Sequence, residues 1–179
     1  MPKPSTRSEL LAEVATEAPR QAAAAVRLSI AIAHQLGMPL ADVQCMGLLA
    51  AGPAAPSDLA LQLGLTTGAM TKVLDRLEQS GFVSRSPDPT DRRRIVITAE
   101  PKGFRVLAPH YAPMSEKIDR HLSGYSDDEL RTVLDFMHAG RTAADEEIAR
   151  IRQQGIRHAT RRHGSDSLSG HGPPRPGLA

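Results

Sequence analysis

The sequence predicts a mainly α-helical protein with one small β-hairpin wing: a winged helix-turn-helix lobe flanked by N- and C-terminal dimerisation helices. Three observations support this fold class. Two short helical segments meet at a glycine within residues 57–79, two strand-like segments enclose an Arg-rich turn at 87–94, and apolar residues repeat at helical spacing on both sides of the lobe. This order of elements gives the chain a way to contact DNA.

The N-terminal part is expected to be helical. Residues 1–7 are assigned as a flexible terminus and residues 8–40 as the first part of a helical dimerisation region. Within it, Pro19 should kink or split the helix, because proline lacks an N–H and its ring clashes with the preceding turn. The winged helix-turn-helix lobe is assigned to residues 41–103, beginning with a helix near residues 41–51.

The second helix of the helix-turn-helix is predicted to enter a DNA groove. The first helix runs from Ser57 to Leu63 and stops at Gly64, and Thr66 is a plausible N-cap for the second. An apolar stripe at i, i+3, i+4 and i+7 buries one face of this second helix. The other face is polar and starts with small residues, and recognition helices enter the major groove by that end. A plain amphipathic surface helix explains this face equally well. The candidate DNA contacts of this part are Ser57, Thr66, Thr67, Gly68, Ala69, Thr71, Lys72 and Arg76.

The turn at residues 87–94 favours the DNA interpretation. It reads PDPTDRRR, so Pro and Asp build the turn and display Arg92, Arg93 and Arg94 at and just past its tip, after a strand at 82–85. Adjacent guanidinium groups repel one another, and phosphates or a narrow minor groove would neutralise them. Asp91 is expected to support the wing by pairing with one arginine. A plain solvated loop is the alternative.

These residues resemble the MarR family of winged-helix transcriptional regulators over roughly residues 8–152. A weaker likeness over residues 122–130 is typical of an actinobacterial-looking branch of that family. The combination of a DRLE-type recognition helix, a G-hydrophobic-V-x-R strand and a DP-x-DRR wing carries the resemblance, with the matching segments LADVQ at 40–44, DLA at 58–60, TGAMTKVLDRLE at 67–78, GFVSR at 81–85, DPTDRR at 88–93, Thr98 and Lys102-Gly103.

The resemblance implies an obligate homodimer that binds a short palindrome near promoters. It also implies release from DNA when a small anionic or phenolic ligand, or an oxidant, reaches the dimer. The ligand cleft of the family lies between the dimer arm and the DNA lobe, so it should be lined near His34, Cys45, Met46 and Tyr111. The chain has no Trp and few aromatic residues, which favours an aliphatic ligand or none.

Residues 104–152 are expected to complete the dimerisation region. Helical stripes continue after the wing, Pro109 and Pro113 should bend the first of these helices, and Ser126 with Glu129 forms a capping box for a long last helix. Such helices cannot bury their apolar faces on so small a lobe, whereas pairing two chains can, and a two-fold dimer reads an inverted repeat. A monomeric helical bundle is the alternative. Residues 153–179 are expected to be a disordered basic tail.

Composition fits a regulator that works in the cytoplasm. The chain has 179 residues, a net charge of +2 and one cysteine, which excludes an internal disulfide framework and suits a reducing compartment. No apolar run is long enough for a membrane span, and the start lacks the core of a signal peptide. The cations are concentrated at the recognition helix and the wing, so we expect moderate non-specific DNA affinity with a clear salt dependence.

Other chemistries have little support in the sequence. Cys45 has apolar neighbours typical of a buried thiol rather than an oxidant sensor. The histidines lack metal-ligand spacing, and there is no nucleophile–base pair or cofactor loop, so no metal, cofactor or enzyme activity is expected. The main hypothesis is a sequence-specific DNA-binding transcriptional regulator, a repressor that binds double-stranded DNA and responds to a small-molecule effector. The alternative is a ligand- or protein-binding module in which the winged helix is only a scaffold.

Overall fold

The computed structural model of the chain describes residues 6–166 and confirms the mainly helical fold with one hairpin. The chain divides into two compact units between Lys117 and Ile118. The elements of the described range are α1 (Arg7–Leu36), α2 (Leu40–Leu49), α3 (Pro56–Leu63), α4 (Thr67–Gln79), β1 (Val83–Pro87), β2 (Ile95–Ala99), α5 (Pro101–Leu122) and α6 (Asp127–Asp166).

Helix α1 begins and ends with strong local signals. Thr6 and Glu9 form a capping box at its start, and Gly37 closes its end with φ 63° in the left-handed region. Pro19 lies inside the helix without ending it, so the split that the sequence allowed does not occur. A proline removes one backbone donor, and the remaining turns of a helix this long keep their hydrogen bonds.

The core of the first unit lies between α2, α3, α4 and the hairpin. The apolar stripe of α4 is buried as the sequence predicted, and it packs with Val43, Leu59, Val83 and Ile97. Strands β1 and β2 pair antiparallel with Arg85 opposite Ile97, and Ala54 adds an isolated bridge to Ile97. The hairpin therefore sits on the same core as the helix-turn-helix, which fixes the wing beside α4.

Two helices follow the hairpin. Helix α5 packs its start closely on the lobe, because a Cβ at Gly103 would lie 2.5 Å from Met46 Cε and 3.0 Å from the Phe82 carbonyl oxygen. Pro109 and Pro113 lie inside it. Helix α6 follows the predicted Ser126–Glu129 capping box, in which both side-chain and backbone hydrogen bonds are present.

The predicted start of a disordered tail at residue 153 is wrong for its first part, because α6 continues to Asp166. Residues 153–166 are poor in large apolar side chains, which suggested disorder, but they include Ala, Gln and Arg and no proline. Those residue types favour helix, so the preceding helix can propagate through them. Residues 167–179 of the predicted tail, and residues 1–5 of the predicted flexible N-terminus, lie outside the described residues.

Candidate nucleic-acid interface

The turn between α3 and α4 sets how the second helix is presented. Gly64 ends α3 with φ 68°, a conformation that favours glycine, and the chain re-enters helix at Thr67. The hydroxyl of Thr66 accepts a hydrogen bond from the Ala69 N–H at 3.3 Å, as the predicted N-cap requires. On α3, Ser57 is exposed and its hydroxyl donates to Asp58.

The first two turns of α4 form an exposed surface of small side chains and one lysine. Thr67, Gly68, Thr71 and Lys72 are exposed, while Ala69 is half-buried. The Thr71 hydroxyl donates to the Thr67 carbonyl oxygen at 3.0 Å. Lys72 forms no ion pair with any residue in the described range. Five residues that were predicted to contact DNA therefore lie together at the N-terminal end of α4. One of them, Lys72, has an ammonium group without an ion-pair partner in the described range.

Arg76 differs from the other predicted contacts, because its guanidinium is held by a carboxylate of α2. Its Nε donates to Asp42 Oδ2 at 3.0 Å and its Nη2 to Asp42 Oδ1 at 2.5 Å. The Asp42 side chain is 5% exposed and that of Arg76 45%. These hydrogen bonds raise the pKa of Arg76 above its ordinary value. The pair ties α4 to α2, and sequence analysis did not identify Asp42.

A second basic residue, Arg85 on β1, pairs with two carboxylates of α4. Its Nη2 lies 2.6 Å from Asp75 Oδ1, and its Nη1 lies 3.0 Å from Glu78 Oε2. This contact also joins the first wing strand to α4. Opposite charges were the only indication of this ion pair in the sequence, because the end of α4 and a turn separate Asp75 from Arg85 along the chain.

The C-terminal end of α4 is held from α5. Lys102 Nζ donates to the Ser80 carbonyl oxygen at 2.7 Å and lies 5.7 Å from the centroid of the Phe82 ring. A cation at the C-terminus of a helix interacts favourably with the helix dipole. Helix α4 thus has ionic or polar contacts to α2, β1 and α5 over its second half, whereas its first half makes none with other elements among residues 6–166.

The wing is organised by an aspartate that sequence analysis did not single out. Asp88 Oδ1 accepts hydrogen bonds from the Thr90 N–H at 2.7 Å, the Thr90 hydroxyl at 2.6 Å and the Asp91 N–H at 3.3 Å. These bonds lower the pKa of the Asp88 carboxyl. The Asp-Pro-Thr sequence is a usable signal, since Asp side chains commonly cap the N–H groups that follow them in turns.

The three arginines of the wing are exposed, and their guanidinium groups are presented to solvent. Asp91 was predicted to hold an arginine side chain, but its carboxylate accepts from the Arg93 backbone N–H at 3.1 Å instead. The backbone of Arg94 bonds in both directions, to Asp88 and to Asp91. Asp91 therefore shapes the turn that displays Arg92, Arg93 and Arg94, without neutralising any of them at ion-pair distance.

A cavity of about 710 Å³ lies within the first unit, behind the helix-turn-helix. Of the four residues predicted for a ligand pocket, Met46 and Tyr111 line it, together with mostly apolar residues of α1, α2 and α5, including Leu48, Phe104 and Leu107. His34 is exposed and does not line the cavity, and Cys45 is fully buried in the core. Burial, with a contribution from Asp42, raises the pKa of the Cys45 thiol to about 12.

Within residues 6–166, His, Cys, Asp and Glu form no group of three or more that could hold a metal ion. None of the helices in that range is long and apolar enough to cross a membrane.

Comparisons with known proteins agree with this geometry. The sequence profile of the MarR family matches residues 47–95. The chain is 33% identical over 124 residues to the uncharacterized HTH-type transcriptional regulator YcgE of Bacillus subtilis (strain 168), covering 69% of this chain and 80% of that protein. It is 34% identical over 74 residues to the HTH-type transcriptional repressor YetL of the same organism, covering 41% and 44%. The crystal structure of RV1404 from Mycobacterium tuberculosis shares the fold, with a TM-score of 0.50 at 22% identity over 76% of this chain and 96% of that chain.

Proposed function

Because this chain belongs to the MarR family of transcriptional regulators, we propose that it binds an inverted-repeat operator as a homodimer and represses the adjacent promoter. Its target is chromosomal DNA, so it works in the cytoplasm. The repressor role is supported by the similarity to YetL, which is named as a repressor.

The observation that carries the proposal is the pairing of two DNA-directed surfaces on one core. Helix α4 exposes Thr67, Gly68, Thr71 and Lys72, and the hairpin beside it exposes three arginines in a row at residues 92–94. An α-helix fits the major groove and can read base edges there, whereas a wing of arginines suits phosphates and the minor groove. Ser57, Thr66 and Ala69 complete the surface at its margin.

We assign Arg76 a different role from the other residues that were predicted to contact DNA. Its guanidinium donates to both oxygens of Asp42, so it positions α4 instead of reading bases. Asp91 likewise acts on the wing through the backbone of Arg93.

Dimerisation is supported by apolar side chains that stay exposed on the helices outside the lobe. On α1 these include Leu10, Leu11, Val14, Val26 and Ile30, and on α6 they include Leu134, Phe136, Met137, Ile148 and Ile151. Contiguous apolar faces of this kind are costly in water and mark interaction surfaces. We therefore assign residues 8–40 and 104–152 to dimerisation and residues 41–103 to DNA binding. A two-fold axis then places two α4 helices about one DNA turn apart.

The direct test is a footprint of the full-length protein on genomic fragments that include the promoter beside its own gene, with non-specific competitor. We expect two protected half-sites about ten base pairs apart. Arg93→Ala should weaken binding to all sequences about equally and reduce the slope of log K against log salt by about one. Arg7→Ala, which removes the same charge at the start of α1, outside the ranges assigned to dimerisation and DNA binding, is the control and should bind like the wild type. Wild-type affinity in Arg93→Ala would remove the wing from the interface.

We also propose that an apolar effector occupies the cavity that Met46 and Tyr111 line. The cavity is large enough for a small ligand, and its walls are mainly aliphatic with few polar groups. A series of medium-chain alcohols is a suitable probe, measured by release of labelled operator DNA. Release should rise with chain length for the wild type, and it should be reduced in Leu107→Trp, whose larger side chain occupies part of the cavity. Equal release from both proteins would place the effect elsewhere.

A further inference from the structure

We infer that Lys72 selects a guanine in each operator half-site and that it is the one basic side chain of α4 that reads a base. This inference rests on the proposed function, in which α4 lies in the major groove. It goes further by assigning a base identity to a single residue and by removing a second residue, Arg76, from the reading surface.

Helix α4 has few long basic side chains. The helix contains two cations, Lys72 and Arg76. Arg76 donates to Asp42 through Nε and Nη2, which lie on the same edge of its guanidinium. The two hydrogen bonds are 3.0 and 2.5 Å long. Releasing Arg76 toward DNA would leave Asp42, whose side chain is 5% exposed, as an unpaired buried carboxylate. The pair therefore fixes Arg76 on the lobe through one edge of its guanidinium, and Lys72 is the basic side chain of α4 that no carboxylate of the described range holds.

Lys72 lies on the exposed face of α4. With 3.6 residues per turn, positions 68 and 72 fall opposite the centre of the buried stripe formed by Met70, Val73, Leu74 and Leu77. Gly68 stands four residues before Lys72, so the two positions are neighbours on the helix surface. Gly68 carries no side chain, so it lets the helix backbone approach the groove next to the lysine. That approach brings the ammonium group to the base edges and not only to the phosphates at the rim.

The carboxylates of α4 near Lys72 are paired within the protein. Asp75 lies three residues beyond Lys72, and an unpaired carboxylate there would repel phosphates and attract the lysine away from them. Arg85 pairs with Asp75 at 2.6 Å and with Glu78 at 3.0 Å, which offsets one of the two negative charges. Lys72 forms no ion pair with either carboxylate. Its ammonium group is therefore available to an acceptor outside the protein.

The chemistry of the base edges then selects guanine. In the major groove guanine presents two adjacent acceptors, O6 and N7, whereas adenine and cytosine each present an amino donor there. A lysine has three donors and no acceptor, so guanine satisfies it best. The remaining exposed positions offer methyl groups more than donors, since the Thr71 hydroxyl is already bonded to the Thr67 carbonyl oxygen. Methyl groups favour contact with the thymine methyl, so each half-site should contain one read guanine among thymine contacts.

The experiment has two stages and uses the full-length protein. The first selects binding sequences from a library of duplex DNA with a randomised centre, for the wild type, Lys72→Ala and Asp42→Asn. The wild type should prefer guanine about tenfold or more at one position of each half-site. Lys72→Ala should lose that preference and keep the others. Asp42→Asn should bind all sequences more weakly with the guanine preference intact.

The second stage replaces the selected guanine with 7-deazaguanine, which keeps Watson–Crick pairing and lacks the N7 acceptor. Wild-type affinity should fall about tenfold, and the affinity of Lys72→Ala should not change. A guanine preference that survives in Lys72→Ala overturns the inference and leaves the proposed function standing. Uniform weakening by Lys72→Ala also overturns it, because that is the behaviour of a phosphate contact. A wild type without any sequence preference overturns both the inference and the proposed function.

Discussion

Arg76 on the recognition helix and Asp42 on α2 form a bidentate ion pair, with Nε–Oδ2 and Nη2–Oδ1 distances of 3.0 and 2.5 Å. The two residues are far apart in the sequence and unequal in exposure, since the carboxylate is buried and the guanidinium is half exposed. The pair fixes the orientation of α4 on the lobe. Its removal should therefore act on folding and DNA binding through the position of the helix.

The two single substitutions should have unequal effects on stability. Arg76→Ala leaves the buried Asp42 carboxylate without a partner, which should lower the free energy of unfolding by about 2–3 kcal/mol. Asp42→Asn leaves Arg76 free to turn toward water, so it should cost about 1 kcal/mol. Urea unfolding monitored by circular dichroism measures both values.

A double variant provides the control for that pair. Asp42→Asn with Arg76→Ala leaves neither a buried carboxylate nor a guanidinium without its partner, so its loss should be smaller than the sum of the two single losses. Additive losses, or a larger loss for Asp42→Asn than for Arg76→Ala, would contradict the assignment of Arg76 as a positioning residue.

The elements of the lobe could be predicted from the sequence because their signals are local. Gly64 permits the left-handed turn that ends α3, Thr66 caps α4, and the apolar stripe of α4 repeats within two turns. The fold class was confirmed on that basis. The same local reasoning placed the arginines of the wing in a turn, where the structure has them.

The pairings between elements could not be predicted in the same way. Asp42 and Arg76 are separated by 34 residues, and the sequence does not show which of several carboxylates will meet Arg76. Asp91 was expected to bond a guanidinium, but a backbone N–H two residues away is a nearer donor. The end of α6 was placed too early because low hydrophobicity was taken to indicate disorder, although helix propensity persists without apolar residues.

The thiol of Cys45 should be unreactive in the folded protein. Its pKa is raised to about 12, so roughly one thiol in ten thousand is ionised at pH 8, and the side chain is fully buried. Alkylation by iodoacetamide at pH 8 should be at least about a hundredfold slower in the native protein than in urea. The denatured chain is the control, since it has the same single cysteine. Comparable rates in both conditions would instead indicate an accessible, oxidant-sensitive thiol.

The same thiol should make stability depend on pH in the alkaline range. The folded state keeps the proton to about pH 12, whereas the unfolded thiol loses it near its ordinary value of 9.0. The folded state therefore binds more protons between these values, and stability falls as the pH rises from 9 toward 12. Cys45→Ala removes this contribution, so the wild type should lose up to about 1.4 kcal/mol more per pH unit than the variant. Parallel curves from pH 8 to 10.5 would contradict it.

Asp88 should matter for DNA binding far more than for global stability. Its carboxylate accepts three hydrogen bonds that shape the wing, and the turn is exposed. Asp88→Ala should reduce DNA affinity roughly fivefold to tenfold and leave the urea midpoint almost unchanged. The sign is informative, because loss of a negative charge alone would strengthen DNA binding. Asp88→Asn, which removes the same charge and keeps a side-chain oxygen that can accept these hydrogen bonds, is the matched control. A gain in affinity for Asp88→Ala would show that the turn does not depend on its carboxylate.

The lowered pKa of Asp88 gives the pH dependence of the wing. The hydrogen bonds favour the ionised carboxylate, so their contribution is present above the ordinary value of 3.8 and is lost as the pH falls through the lowered pKa. The amide resonances of Thr90 and Asp91, which donate to this carboxylate, should shift together in that acidic range. Shifts centred above the ordinary value would mean that the carboxylate is not held by these donors.

Gly68 should show opposite effects on stability and on function. A Cβ added there meets no atom within 4 Å, and its φ is not positive, so neither packing nor backbone conformation requires glycine. Glycine in a helix is less stable than alanine, so Gly68→Ala should raise the free energy of unfolding by about 0.5 kcal/mol. If the helix approaches the groove at this position, the added methyl should weaken operator binding about tenfold. Gly47→Ala on α2, where a Cβ also meets nothing within 4 Å and φ is not positive, should raise stability and leave binding unchanged. A Gly68→Ala variant that gains stability and keeps full affinity would show that the DNA approaches the helix elsewhere.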